Sequence, residues 1–169
     1  KKEVKKITNY FCNSKGPSYL RLDKSFVNIE KFKFSQKKAS VLREGSSITL
    51  IGTGGVVEEL LKASDTLKNK KIDCRVLSMH TIKPLDLISI DKAVEETKGI
   101  ISVEENNIIG GLGSAISEYC LEAKKFPKNF YKIGLNDEFS SIVGDQKYLR
   151  NHYQINSNKI IKKVQEIFS

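Results

Sequence analysis

From residue 45 to its end, the chain alternates short apolar runs with longer stretches in which apolar residues recur every three or four positions. The runs at residues 47–51, 72–78, 99–103 and 130–133 have the length and β-branched content of buried strands. Between them, Val57, Leu60, Leu61 and Leu67 share one helical face, as do Leu87, Ile90 and Val94, and then Ile116, Tyr119, Cys120 and Ala123. Pro84 is expected in a helix first turn, where its missing N–H costs nothing. A short helix near residues 146–151 and an amphipathic one carrying Ile160, Ile161, Val164, Ile167 and Phe168 close the chain. Strand and helix alternating at this spacing predict an α/β fold, a mostly parallel sheet with helices on both faces.

The first 44 residues follow a different pattern. Residues 1–24 read as a short helix, a break at Gly16-Pro17 and a strand over residues 18–22. Residues 25–44 are polar and lysine-rich, with Phe26, Phe32 and Phe34 interspersed, and read as a linker lying on another surface. The net charge of +9 is concentrated here: residues 1–44 hold 12 Lys and Arg against 4 acids, and residues 45–169 hold 17 against 16. Scattered lysines in a chain also rich in Asn and Ile read as a compositional habit, and a nucleic-acid partner is not expected. The chain starts at Lys1 with Met79 as its one methionine, so it is read as a piece of a longer protein. No run of about 18 apolar residues exists, so no membrane-spanning helix is expected. Cys12, Cys74 and Cys120 are odd in number, widely spaced and set among apolar neighbours, which fits buried thiols in a reducing cytoplasm.

In an open α/β sheet, functional groups gather beyond the C-terminal strand ends, here near Gly52, Met79-His80 and Glu104-Glu105. Two glycine clusters there invite a nucleotide. A dinucleotide loop needs G-x-G-x-x-G and an acid at the end of the next strand. After Gly52 and Gly54 the third glycine position is Val57, and Asp73 starts the second strand instead of ending it. After Gly111 and Gly113 the third position is Ile116. These glycines are therefore expected to allow tight turns and close helix–sheet approach, with a nucleotide- or effector-binding module on residues 110–114 as the rival reading. Glu104 and Glu105 are adjacent at a strand end and should point to opposite sides, one of them toward the loop amides or the next helix start. His80 and His152 lack any metal-ligand spacing, and His80 is expected in a structural contact.

Four motifs carry a family resemblance. Val103-Glu104-Glu105-Asn106-Asn107-Ile108-Ile109-Gly110-Gly111-Leu112-Gly113-Ser114-Ala115 resembles a signature of the C-terminal domain of transketolases and their thiamine-diphosphate relatives. Met79-His80-Thr81-Ile82-Lys83-Pro84-Leu85-Asp86 resembles the Thr-x-Lys-Pro-x-Asp signature of that domain. Ile133-Gly134, with Asp137 and Phe139, is similar to the start of its late loop, although Ser140, Ser141, Ile142 and Val143 depart from the usual pattern. Gly16-Pro17-Ser18-Tyr19-Leu20-Arg21 resembles the closing strand of the family's pyrimidine-binding domain. Asn106 stands where many transketolases have His and deoxyxylulose-phosphate synthases often have Asn. The run ending at Asp86 is closer to small bacterial two-subunit transketolases.

The resemblance implies a three-layer sandwich with an about five-stranded mixed sheet over residues 45–169, preceded by a remnant of the pyrimidine-binding domain (1–24) and a linker (25–44). It implies ketol transfer: a two-carbon unit passes between sugar phosphates while thiamine diphosphate, held with magnesium, acts as electron sink. The motifs for cofactor and metal are absent, so neither is expected to bind this chain alone, and no catalytic or metal-binding residue is expected in it. Lys83, Pro84, Asp86, Glu104, Glu105, Gly110, Gly111 and Gly113 are expected as structural motif residues. Arg21 falls where the family grips a sugar phosphate, a task suited to the paired donors of a guanidinium. The implied partners are upstream cofactor-binding domains or a separate subunit, within a cytoplasmic homodimer.

Overall fold

The computed structural model describes residues 2–20, 22, 35 and 37–169. The five strands are β1 (Ser40–Arg43), β2 (Ile48–Gly52), β3 (Cys74–Ser78), β4 (Ile100–Asn107) and β5 (Phe130–Leu135). They form one sheet in the order β1-β3-β2-β4-β5. β1 runs antiparallel to β3 and every other pairing is parallel. Among the helices, α1 (Lys2–Cys12) precedes the sheet, and a 3-10 turn, Gly54–Val56, leads into α2 (Val57–Lys68). Then come α3 (Leu87–Glu96), α4 (Leu112–Glu122), α5 (Gln146–His152) and α6 (Ser157–Phe168). None of the described helices is long and apolar enough to cross a membrane.

Alternation along the strands builds two cores. Ile48, Leu50, Val76, Ile101, Val103 and Ile133 point to one face, where α2 and α6 supply Leu60, Leu67, Ile160 and Val164. Ile51, Leu77 and Ile100 point to the other, against Ile90 and Ala93 of α3 and Leu112, Ile116 and Cys120 of α4. β2 lies in the middle and is buried along its whole length, as a strand covered on both faces must be. This is the expected mixed five-stranded α/β sandwich.

Individual elements depart from expectation. The fifth strand is Ser40–Arg43, within the stretch read as a linker. Its buried–exposed alternation has a period of two, but four residues at a sheet edge are too few to stand out from lysine-rich surroundings. Residues 18–20 and 22, read as a strand, lie outside any strand, with Tyr19 and Leu22 exposed. Pro84 precedes α3 instead of entering it: the Lys83-Pro84 peptide is cis, and Asp86 caps the helix that starts at Leu87. β4 runs four residues beyond Val103, carrying both glutamates within the strand.

Candidate functional site

The C-terminal ends of the parallel strands bring the predicted motifs to one rim. There Glu104 follows Ile100 and Ser102 onto the α4 side, while Glu105 follows Ile101 and Val103 onto the α2 and α6 side. The two carboxylates consequently have separate partners.

Glu104 is buried, 2% exposed. Its two oxygens accept from the amides of Leu112 (2.8 Å) and Gly113 (2.9 Å), the first residues of α4. The cap position itself is Gly111, which has no side chain to offer. A strand carboxylate thus performs the capping, and its charge sits where the helix dipole favours an anion. The glycines are fitted around it. A Cβ at Gly111 would overlap the Glu104 carboxylate, and one at Gly113 would lie 2.5 Å from Ser102 Oγ. Gly110 has φ +73°, and its amide donates to Ser114 Oγ at 3.0 Å. Ser114 Oγ in turn donates to the Ile108 carbonyl, which also accepts from Lys132 Nζ at 2.9 Å. A nucleotide phosphate at this helix start would have to compete with a carboxylate already bonded to both amides, so the geometry disfavours the rival reading of residues 110–114.

Glu105 faces α5. Arg150 Nε donates to its Oε1 at 2.6 Å and Nη2 to its Oε2 at 3.1 Å, a two-pronged pair, and Gln146 Nε2 adds bonds at 3.1 and 3.3 Å. Sequence reasoning missed Arg150 and Gln146. They stand one helical turn apart, but Arg150 is 45 positions from Glu105, and no local pattern links the two.

The Met79–Asp86 segment is tied down differently. Asp86 accepts from Ser89 N (3.2 Å), Ser89 Oγ (2.6 Å) and, 47 positions back, the amide of Ala39 (2.8 Å). One carboxylate therefore caps α3 and anchors the chain just before β1. Beside it, His80 Nδ1 lies 3.0 Å from Thr81 Oγ1. Burial pushes the His80 imidazole below its ordinary value, against the opposing pull of the Lys38 backbone and the Asp86 charge. Lys83 and Pro84 are exposed at the rim. Arg21 lies outside the described residues.

The described residues do not fit a magnesium-bound diphosphate. No three His, Cys, Asp or Glu side chains among them are grouped to hold a metal ion, and the rim's glycine-loop amides are taken by Glu104. The site's chemistry is that of a scaffold: two buried or half-buried carboxylates locking helices to strand ends.

Residues 37–160 match the family described as "Transketolase, C-terminal domain". Among curated proteins, one of the subunits of the apulose-4-phosphate transketolase of Actinobacillus succinogenes is 34% identical over 94% of this chain and 52% of its own length. The 6-deoxy-6-sulfo-D-fructose transketolase subunit SqwH of a Clostridium species is 34% identical over 90% of this chain and 47% of its own. The 1-deoxy-D-xylulose-5-phosphate synthase of Clostridium tetani is 30% identical over 98% of this chain but only 27% of its own length. This chain thus spans about half the length of the transketolase subunits it matches. A split-gene transketolase, solved as an inactive beta4 tetramer, superposes with a TM-score of 0.73 at 27% identity, over 86% of this chain and 46% of its own.

Proposed function

Because the chain belongs to the transketolase C-terminal domain family, we propose that it is the C-terminal part of a transketolase-like enzyme transferring a two-carbon ketol unit between sugar phosphates. Its own task is to stabilise the assembly. Thiamine diphosphate, when bound with magnesium, supplies the electron sink, and both are held by upstream domains or a separate subunit. Residues 40–169, from β1 onward, form the C-terminal domain proper, residues 25–39 lead into it, and residues 1–24 belong to the end of the pyrimidine-binding domain, where Arg21 grips the substrate phosphate. The working enzyme is a cytoplasmic homodimer. One observation carries the scaffold role: both oxygens of Glu104 are bonded to the α4 amides, so the rim's helix start serves the fold and is closed to a substrate or cofactor phosphate.

Titration calorimetry of this chain with thiamine diphosphate and magnesium should give no measurable heat of binding. Tight, magnesium-dependent binding would relocate the cofactor site into this chain. Mixing the chain with its upstream region or subunit should restore ketol transfer, and Arg21→Gln should then raise KM for a phosphorylated acceptor more than for its unphosphorylated counterpart. The likeness to deoxyxylulose-phosphate synthase and the presence of Asn106 favour one second reading, a deoxyxylulose-phosphate-forming enzyme. Product analysis of the reconstituted enzyme separates the two.

A further inference from the structure

The rim that turns its carboxylates inward turns apolar side chains outward. Phe139 and Val143, in the loop between β5 and α5, are fully exposed, at 102% and 97%. Ile109 after β4 and Tyr148 in α5 are 65% and 52% exposed, and Ile82, after β3, is 41% exposed. All five lie on connections that leave the C-terminal end of a strand. Single exposed apolar residues are ordinary, whereas five on one rim mark a contact surface for another protein.

The loop that carries Phe139 and Val143 is pinned at its start, middle and end. Asn107 Nδ2 donates to Asp137 Oδ1 at 2.9 Å, the Tyr153 hydroxyl donates to Ser140 Oγ at 2.6 Å, and Asp145 Oδ1 accepts from the Tyr148 amide at 2.7 Å. Little ordering therefore remains to be done when a partner docks. The rim is poorly suited to a small ionic ligand, because its main carboxylates are engaged within the fold: Glu104 by α4, Glu105 by α5 and Asp86 by Ser89 and Ala39.

Two observations point to what covers this surface. β1 is antiparallel, with Ser40 opposite Ser78, the last residue of β3, so the chain enters the domain at this same rim, where Asp86 fastens the Ala39 amide. The transketolase subunits it matches are about twice its length, and the shared family is a C-terminal domain, so the half it does not span lies upstream in those relatives.

We infer that the rim bearing Ile82, Ile109, Phe139, Val143 and Tyr148 is the surface on which the upstream half of the enzyme docks. The identity of that partner rests on the enzymatic reading proposed above.

The test follows association itself, without turnover. The chain, labelled at its N-terminal amine, is titrated with the upstream half as a separate polypeptide while fluorescence anisotropy is recorded. Phe139→Ser and Val143→Ser should each weaken association about tenfold or more, with the urea midpoint of the chain unchanged. Phe126→Ser, at a residue 64% exposed beyond the opposite ends of the strands, should leave association as it is. With the upstream half joined ahead of Lys1, hydrogen exchange at residues 138–144 should slow relative to the chain alone. Equal exchange rates, or rim variants that bind as the natural chain does, would overturn the inference. Sedimentation of the chain alone as a dimer that Phe139→Ser dissociates would overturn it in favour of a second copy. Rim-dependent association without ketol transfer would uphold the docking surface and remove only the enzymatic reading.

Discussion

At the scale of single residues, Glu104 shows how one carboxylate can replace a cap that the helix lacks. In Glu104→Gln, one oxygen remains to accept while the new NH2 group confronts an amide that also donates. Urea unfolding should show a loss of about 2–3 kcal/mol, the cost of a charged hydrogen bond broken inside the protein. His80 gives a prediction with a sign. Its folded-state value lies below its ordinary 6.5 because burial disfavours the charged ring. As pH falls, the unfolded chain therefore takes up the proton first. Its stability contribution is full above 6.5 and is lost as pH drops from 6.5 toward the folded value. Urea midpoints measured from about pH 8 down to about pH 5 should fall for the natural protein and fall less for His80→Asn. Glu59 acts lower on the scale. Burial pushes its carboxyl up, but the hydrogen bonds from Lys62 and the Ser157 amide, with the Lys62 charge, outweigh this and hold it below 4.5.

At the scale of elements, α5 is attached to the sheet by a cluster that no local pattern announces. Arg150 is almost fully buried, and its partner Glu105 has 29% of its side chain exposed. Arg150→Met should cost about 2 kcal/mol, less than a fully buried pair because water still reaches Glu105. Hydrogen exchange should quicken first in α5 and leave β2 unaffected. The central strands, the four long helices of the sandwich and the glycine turn were all legible from residue 45 onward, because their periodicities are long and strong. β1 was not, because an edge strand of four residues leaves too short a record. The placing of Glu104 and Glu105 on opposite sides follows from strand alternation alone. Their partners divide by distance: α4 lies eight or nine positions from Glu104 and could be guessed, while Arg150 depends on how the whole chain closes.

At the scale of the molecule, two cores share one sheet, so neither can form without it. Leu60→Ala empties space on the α2 and α6 side, and Ile116→Ala does so on the α3 and α4 side. Each should lower stability by about 3 kcal/mol. In both variants, circular dichroism and tyrosine fluorescence should report one shared transition; two separated transitions would show that the layers fold independently. The tie from Asp86 to Ala39 extends this unity to the edge strand, since one side chain holds both α3 and the approach to β1.

The lock between Glu104 and the first amides of α4 has a consequence for chemical rescue. The fold carries its own counter-ion in a receptor built from backbone, so removing the side chain in Glu104→Gly leaves the receptor behind, empty and positively polarised. Formate or acetate should then return part of the lost stability in proportion to its concentration, while leaving the natural protein unchanged. What protects this loop from stray anions is occupancy, and a single substitution would turn a closed joint into a ligand-gated one.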